Sequence, residues 1–330
     1  MAGRQNREGT SGLLSERLQM IADMVTPGNR LADVGCDHGY LSIALVEAGI
    51  CPTAIAMDVR EGPLAAAGIH IREHRLENHI CTRLSDGLAG CDAGEADTLV
   101  CAGMGGRLME RILTTEMEKV RTMRELILQP QSELPRFRVF LRENGFRIAD
   151  EDVVCEDGKY YFAMKAVNVR GDGPAEATDE LRDGQTEESP GPVETGPGKA
   201  AESGGRELTG AEKAERTVPE PDGIGFRQKK PYRERMDAGT AEMQCLYDQY
   251  GQILLEKKHP VLWQYLLQRE TYLRKLESAL AAAGTEKAVR RLREVQRELE
   301  DIERALAYYR NAEGRIGRQG VHILDCTDIK

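Results

Sequence analysis

The sequence predicts an α/β fold: a mainly parallel sheet closed by an antiparallel hairpin, followed by an α-helical coiled-coil hairpin. Three observations carry this. Short apolar runs alternate with amphipathic stretches from Leu13 to about Asn144. Two β-type runs then meet at a tight turn, Glu156-Asp157-Gly158. Near the C-terminus, leucines recur at 4–3 spacing in two successive stretches. Strands alternating with helices give a parallel sheet covered on both faces, whereas two strands joined by a tight turn pair antiparallel.

The elements follow in order. Ser15 caps a helix running to Val25, with Leu18, Ile21, Ala22 and Val25 on one face. Pro27-Gly28-Asn29 breaks it. Strands are expected at Arg30–Gly35, Thr53–Val59, Ile80–Leu84, Asp97–Ala102 and Glu125–Leu128. Helices are expected at Tyr40–Ala48, Gly62–His74, Gly106–Leu113 and Leu134–Asn144. Phe146–Cys155 and Lys159–Val167 form the closing hairpin. Residues 168–225 hold no aromatic residue and are rich in Gly, Pro, Glu and Thr, a composition that cannot bury enough surface to order a chain. Beyond them, Leu262, Leu266, Leu273, Leu276 and Leu280 mark one helix. Leu292, Val295, Leu299, Ile302, Leu306 and Tyr309 mark the next, with Gly284 ending the first and Thr285 capping the second. The expected organisation is a tail over 1–12, an α/β domain over 13–167, a disordered acidic insertion over 168–225, a helical coiled-coil domain over 226–313 and a tail over 314–330.

Composition narrows the function. The eight cysteines form no C-x-x-C pair, so no metal site is expected, and they read as reduced thiols of a cytoplasmic protein. No apolar run approaches the roughly 20 residues of a membrane span, and Met1–Gly12 lacks the apolar stretch of a signal peptide. The net charge of −10 divides into −6 over residues 1–167, −8 over 168–225 and +4 over 226–330. Overall acidity therefore does not exclude a nucleic-acid partner for the last third.

The chemistry concentrates at strand ends. Asp33-Val34-Gly35-Cys36-Asp37-His38-Gly39-Tyr40 closes the first strand and opens a helix. Gly35 allows a sharp turn beneath a ligand, and Gly39 is expected to let the ligand approach the helix start. The dinucleotide pattern G-x-G-x-x-G is broken, since Asp37 stands at its middle glycine, which speaks against a nicotinamide dehydrogenase. An acid ahead of the glycines suits an ammonium group better than a pyrophosphate. Asp58 ends the second strand, where a carboxylate can accept ribose hydroxyls or simply cap the next helix. Asp86-Gly87 follows the third strand and could accept an adenine amino group or merely form a turn. After the fourth strand comes Ala102-Gly103-Met104-Gly105-Gly106, whose glycines leave room for a flat ring with no acidic side chain present. A nucleophile that needs no deprotonation fits such a loop. Gln129-Pro130-Gln131 follows the fifth strand and is expected to flank the same pocket.

Together these residues resemble a known family. Ser15-Glu16-Arg17-Leu18, the Asp33–Leu41 stretch, Ala102–Gly106, Leu126–Pro130 and Tyr160–Met164 are similar to motifs of the bacterial tRNA (adenine-22)-N1-methyltransferases, the TrmK family. The similarity spans about 13–167 and resumes at Tyr250–Leu255 and the helical hairpin. The insertion and the tail after Gly314 have no counterpart expected of that family.

The resemblance implies a Rossmann-like class I methyltransferase sheet, S-adenosyl-L-methionine as cofactor and tRNA as partner, with neither membrane nor DNA binding. It leaves the oligomeric state open. It implies cofactor contacts from Arg17, Asp33, Gly35, Asp37, His38, Gly39 and Tyr40, then from Asp58, Asp86, Gly87, Ala102, Gly103 and Met104. Methyl transfer falls to Gly103, Met104 and Gly105. Substrate contacts fall to Gly106, Gln129, Pro130, Gln131 and Tyr161, and to Arg274, Lys275, Arg290, Arg291 and Arg293 as phosphate contacts on the arm. Each of those arm cations is equally readable as a solvated helix-face charge. The alternatives are methylation of another RNA, a protein or a small molecule, or a non-catalytic cofactor- and RNA-binding module.

Overall fold

The computed structural model describes residues 14–169 and 238–310, which belong to one compact unit. The N-terminal tail, nearly all of the expected insertion and the C-terminal tail lie outside the described residues.

A seven-stranded sheet forms the centre, in the order β3-β2-β1-β4-β5-β7-β6. Strands β1 (Leu31–Val34), β2 (Ala54–Asp58), β3 (Ile80–Leu84), β4 (Thr98–Met104) and β5 (Glu125–Pro130) are parallel. Strand β7 (Lys159–Asn168) runs antiparallel beside β5 and pairs with β6 (Phe146–Glu156). Asp157 (φ 50°) and Gly158 (φ 72°) form the two-residue link, with the positive dihedrals that match the twist of a hairpin. The chain order reverses between β1 and β4, which creates the crevice where open α/β sheets bind ligands.

Both faces are covered. Helices α1 (Glu16–Met24), α2 (Tyr40–Glu47) and α3 (Glu61–Glu73) share a core with Leu31, Ala54, Val100 and Ile127. Helices α4 (Gly106–Thr115), α5 (Met117–Val120) and α6 (Leu134–Glu143) enclose Val34, Met57, Leu99 and Leu128 on the other side. Every residue of β1, β2 and β5 is buried, so their apolar residues do not alternate with exposed polar ones. Ser15 accepts the Leu18 N–H and caps α1 as its position implies.

The structure departs from the sequence expectation in three places. Strand β4 continues through Met104, with a register irregularity between Ala102 and Met104. The short α5 was not expected. Two further helices, α7 (Ala238–Tyr250) and α8 (Gln252–Glu256), precede the long pair α9 (Pro260–Ala283) and α10 (Glu286–Arg310). Gly284 sits in the left-handed region (φ 61°), and Thr285 Oγ1 accepts the Ala288 N–H. Leucines of α9 and α10 share a cluster with Leu246 and Tyr250 of α7 and with Val153 and Phe162 of the strand hairpin.

A buried ionic junction accompanies this cluster. Arg138 of α6 donates to Glu151 at 2.8 Å and to the Asp248 and Gln249 carbonyls of α7 at 2.9 and 3.2 Å. Arg142 grips both oxygens of Asp248, at 2.6 and 3.1 Å. Gly251 (φ 88°) closes the junction; a Cβ there would lie 2.7 Å from a Glu151 oxygen.

Candidate active site

A cavity of about 630 Å³ opens at the β1/β4 crevice, where the strand ends deliver the motifs. Asp33 is buried as the last residue but one of β1, and Ser42 of α2 donates to its Oδ2 at 2.8 Å. Burial pushes the Asp33 carboxyl up to about 6, opposed by the Ser42 hydrogen bond and assisted by the nearby Asp58 charge. A buried acid whose one hydrogen-bond partner among the described residues is a hydroxyl can receive a cation.

The turn after β1 is held by backbone. Gly35 (φ 76°) and Cys36 both donate to the Met57 carbonyl of β2, at 2.8 and 2.9 Å. A Cβ on Gly35 would meet Met104 Cε at 2.2 Å, so the bare glycine is what lets the Met104 side chain lie across the turn. Asp58 splits its oxygens: Oδ2 accepts from Asp37 N at 3.3 Å and Oδ1 from Arg60 N at 2.9 Å. It braces two loops and also lines the cavity.

On the opposite wall, Gly103 (φ 76°) donates its N–H to Gln129 Oε1 at 3.1 Å. Arg17 Nη1 donates to the same oxygen at 3.3 Å, and its guanidinium lies 5.5 Å from the centre of the Tyr161 ring. Gln131 lines the cavity and donates its backbone N–H to the Met104 carbonyl at 2.8 Å.

The cavity brings together Arg17, Asp33, Gly35, Asp37, His38, Tyr40 and Asp58 with Asp86, Gly87, Ala102, Gly103, Met104 and Gln131. Several expected members do not line it. A Cβ on Gly39 would lie 3.1 Å from Ala67 Cβ, so this glycine admits helix α3 rather than a ligand. Gly105 caps α4 outside the cavity wall. Gly106 is buried, and a Cβ there would strike the Ser132 carbonyl oxygen at 2.6 Å; its smallness serves the packing of two loops. Gln129 is 1% exposed and holds the Gly103 loop from behind. Pro130 is buried in register with Met104, and Tyr161 sits beneath Arg17.

Arg274, Lys275, Arg290, Arg291 and Arg293 are likewise remote from the cavity wall, on α9 and α10. Three of them have carboxylate partners. Arg274 pairs with Glu270 and Glu303 at 2.9 and 2.8 Å, Arg290 with Glu286 at 3.1 Å and Arg291 with Glu294 at 2.6 Å. Arg60, Leu108 and Arg111 line the cavity without having been singled out. Arg60 and Arg111 are ordinary helix-flank cations in sequence, and only the fold turns them toward the strand ends.

Comparison with known proteins agrees with this architecture. Residues 14–164 match the family model described as a methyltransferase domain. A tRNA (adenine(22)-N(1))-methyltransferase of Bacillus subtilis is 37% identical over 153 residues, which are 46% of this chain and 64% of that protein. The chain thus aligns with less than two thirds of that relative's length. A Streptococcus pneumoniae protein described as a candidate tRNA (m1A22) methyltransferase, in complex with S-adenosyl-L-methionine, superposes with a TM-score of 0.60 at 26% identity. The match covers 89% of this chain and 99% of that one. The B. subtilis m1A22 tRNA methyltransferase TrmK superposes with a TM-score of 0.60 at 24% identity, covering 89% and 98% of the two chains, and shares the fold. The resemblance read from the motifs is therefore borne out in sequence and in fold.

Proposed function

We propose that this chain, which carries a class I methyltransferase domain over residues 14–164, transfers a methyl group from S-adenosyl-L-methionine to N1 of the adenine at position 22 of tRNA. The observation that carries the reading is the charge layout of the cavity. Asp33 waits buried near one carboxylate, Asp58, while the facing Ala102–Gly103–Met104 stretch holds no titratable side chain.

The residues present fit the cofactor. Asp33 lacks a cationic partner among the described residues and suits an ammonium group, directly or through water. Asp58, beside the Asp37 turn, suits ribose hydroxyls, and Asp86 suits an adenine amino group. When bound, S-adenosyl-L-methionine supplies an electrophilic methyl group on a sulfonium.

The chain's own contribution is placement. Gln129 fixes the Gly103 backbone, and Met104 rests on Gly35, so the two walls are tied together across the crevice. An adenine N1 keeps its lone pair at neutral pH and needs no base, which fits a stretch built of Ala102, Gly103 and a thioether. Proximity and orientation then supply the rate. The target base has to leave its stack to reach such a cavity. Arg274, Lys275, Arg290, Arg291 and Arg293 are offered as phosphate contacts, the surface ion pairs of Arg274, Arg290 and Arg291 being weak enough to exchange. No described helix is long and apolar enough to cross a membrane.

Incubation with labelled S-adenosyl-L-methionine and total bacterial tRNA, followed by nucleoside analysis and mapping, tests the reading. The expected product is 1-methyladenosine at position 22. Cofactor binding without any methylated nucleoside, or a label on another base, overturns it.

A further inference from the structure

Three rings gather at the rim of the cavity. Tyr40, the first residue of α2, stacks on His70 of α3 with ring centres 4.9 Å apart and planes 21° apart. His38 lies 5.9 Å from each of them, at 30° to Tyr40 and 39° to His70. His38 and Tyr40 line the cavity; His70 lies outside it. A core would bury such rings, yet Tyr40 is 39% exposed and the His38 side chain 47% exposed. His70 Nδ1 lies 3.0 Å from the His38 carbonyl oxygen. That oxygen can only accept, so Nδ1 carries the hydrogen and Nε2 of the neutral ring presents a lone pair. No partner for Nε2 is found among the described residues.

We infer that Tyr40, His38 and His70 form a stacking platform for an RNA base adjacent to the one that is methylated. This rests on the tRNA reading above. The methylated base has to enter beside the Gly103 loop of β4, whereas these rings belong to α2 and α3, across the Gly35 turn. Turning a base out of its stack leaves its neighbour without a partner on one side. The near-parallel Tyr40–His70 stack, with the tilted His38 ring beside it, replaces that partner, and ring stacking accepts any base because every base has a π-face. His70 Nε2 adds an acceptor for an exocyclic amino group or a ribose hydroxyl.

The test uses the full chain with His70→Leu, His70→Phe and wild type, each checked for an unchanged melting temperature. Calorimetry reads S-adenosyl-L-methionine affinity, and steady-state methylation of tRNA reads KM and kcat. The expected result is a KM for tRNA raised about tenfold in His70→Leu, within the range for losing a base-stacking ring. His70→Phe should restore KM to within about twofold, with cofactor affinity unchanged in both. An unchanged KM in His70→Leu overturns the platform, as does an equal rise in both variants, since the Phe ring should rescue stacking. A cofactor affinity lost in parallel overturns it too, by making the rings a wall of the cofactor site. Absence of tRNA methylation by wild type would instead reject the tRNA reading itself.

Discussion

At the scale of single residues, Asp33 sets stability against function. Its carboxyl is raised from 3.8 to about 6, principally by burial. A raised carboxyl means that the folded state holds its proton over a range where the unfolded state has lost it. Stability from this group is therefore greatest below about pH 4, falls as pH rises toward 6 and stays low above. A rise of that size corresponds to about 3 kcal/mol at most. Asp33→Asn should then raise the melting temperature of the ligand-free protein at pH 8 and leave it nearly unchanged at pH 4, which pH-resolved melting curves would read. The same variant should bind S-adenosyl-L-methionine weakly and with a flat pH profile, whereas wild-type affinity should fall as pH drops below about 6. Equal pH dependence in the two proteins would remove Asp33 from the ammonium contact. Asp58→Ala should weaken cofactor binding by about 1.5–3 kcal/mol, the scale of a hydrogen bond to a charged group, by calorimetric titration. Gly35→Val should abolish it, since the added side chain demands both the Met104 position and a left-handed backbone.

At this scale the sequence was informative about residue type and less so about direction. Asp33, Gly35 and Asp58 were legible because strand ends in a parallel sheet face one crevice. Gln129 was expected to face the substrate, yet it turns inward to bind Gly103 N–H. Gly39 and Gly106 were readable as glycines with a purpose, but whether a ligand or a neighbouring element takes up the space depends on tertiary approach. His70 carried no signal at all, being one histidine within a helix until α3 meets α2.

At the scale of elements, the two long helices were legible because their leucines repeat at constant spacing and Gly284-Thr285 punctuates them. Helices α7 and α8 were not, because what orders α7 is distant. Asp248 meets Arg142, the Asp248 carbonyl meets Arg138, and Leu246 and Tyr250 enter the cluster under the strand hairpin. The α9–α10 arm makes a quantitative test of the RNA reading. Arg290 and Arg291 pair with glutamates of their own helix, and such exposed, solvent-screened pairs contribute little to stability. Charge reversal at Arg290, Arg291 and Arg293 should therefore leave melting nearly unchanged while weakening tRNA binding. It should also reduce the salt slope of that binding, because fewer counterions are released. Filter-binding across a salt series reads both, and a slope identical to wild type would remove these residues from the tRNA contact.

At the scale of the whole molecule, helix α7 and the α/β domain are joined by charge buried with its partners. Arg138 and Glu151 are 3% and 2% exposed in their side chains, so removing one partner strands the other in the interior. Arg138→Ala should cost about 3–5 kcal/mol of stability, measurable by denaturant titration, even though Arg138 lies outside the cofactor cavity. A loss below about 1 kcal/mol would mean that Glu151 finds water or protonates, and that the junction is looser than its geometry.

The junction also bears on residues 170–237, which lie outside the described part of the chain. Val169, just after β7, and Gln244 of α7 line one cavity of about 390 Å³ together with Arg142 and Asp248. Gln244 is only six residues into α7, roughly 9 Å of helix. The ends of the segment are therefore within reach of a short connection, and a bridge of about ten residues can extend roughly 33 Å. Loop closure entropy depends only logarithmically on length, so shortening the connection cannot cost much. Replacing residues 170–237 by a ten-residue Gly/Ser bridge should leave melting temperature, cofactor affinity and kcat within about twofold of wild type. A folded deletion variant that binds S-adenosyl-L-methionine normally but has lost tRNA turnover would show the segment to be part of the substrate site. One that fails to melt cooperatively would show that it supports the α6–α7 junction.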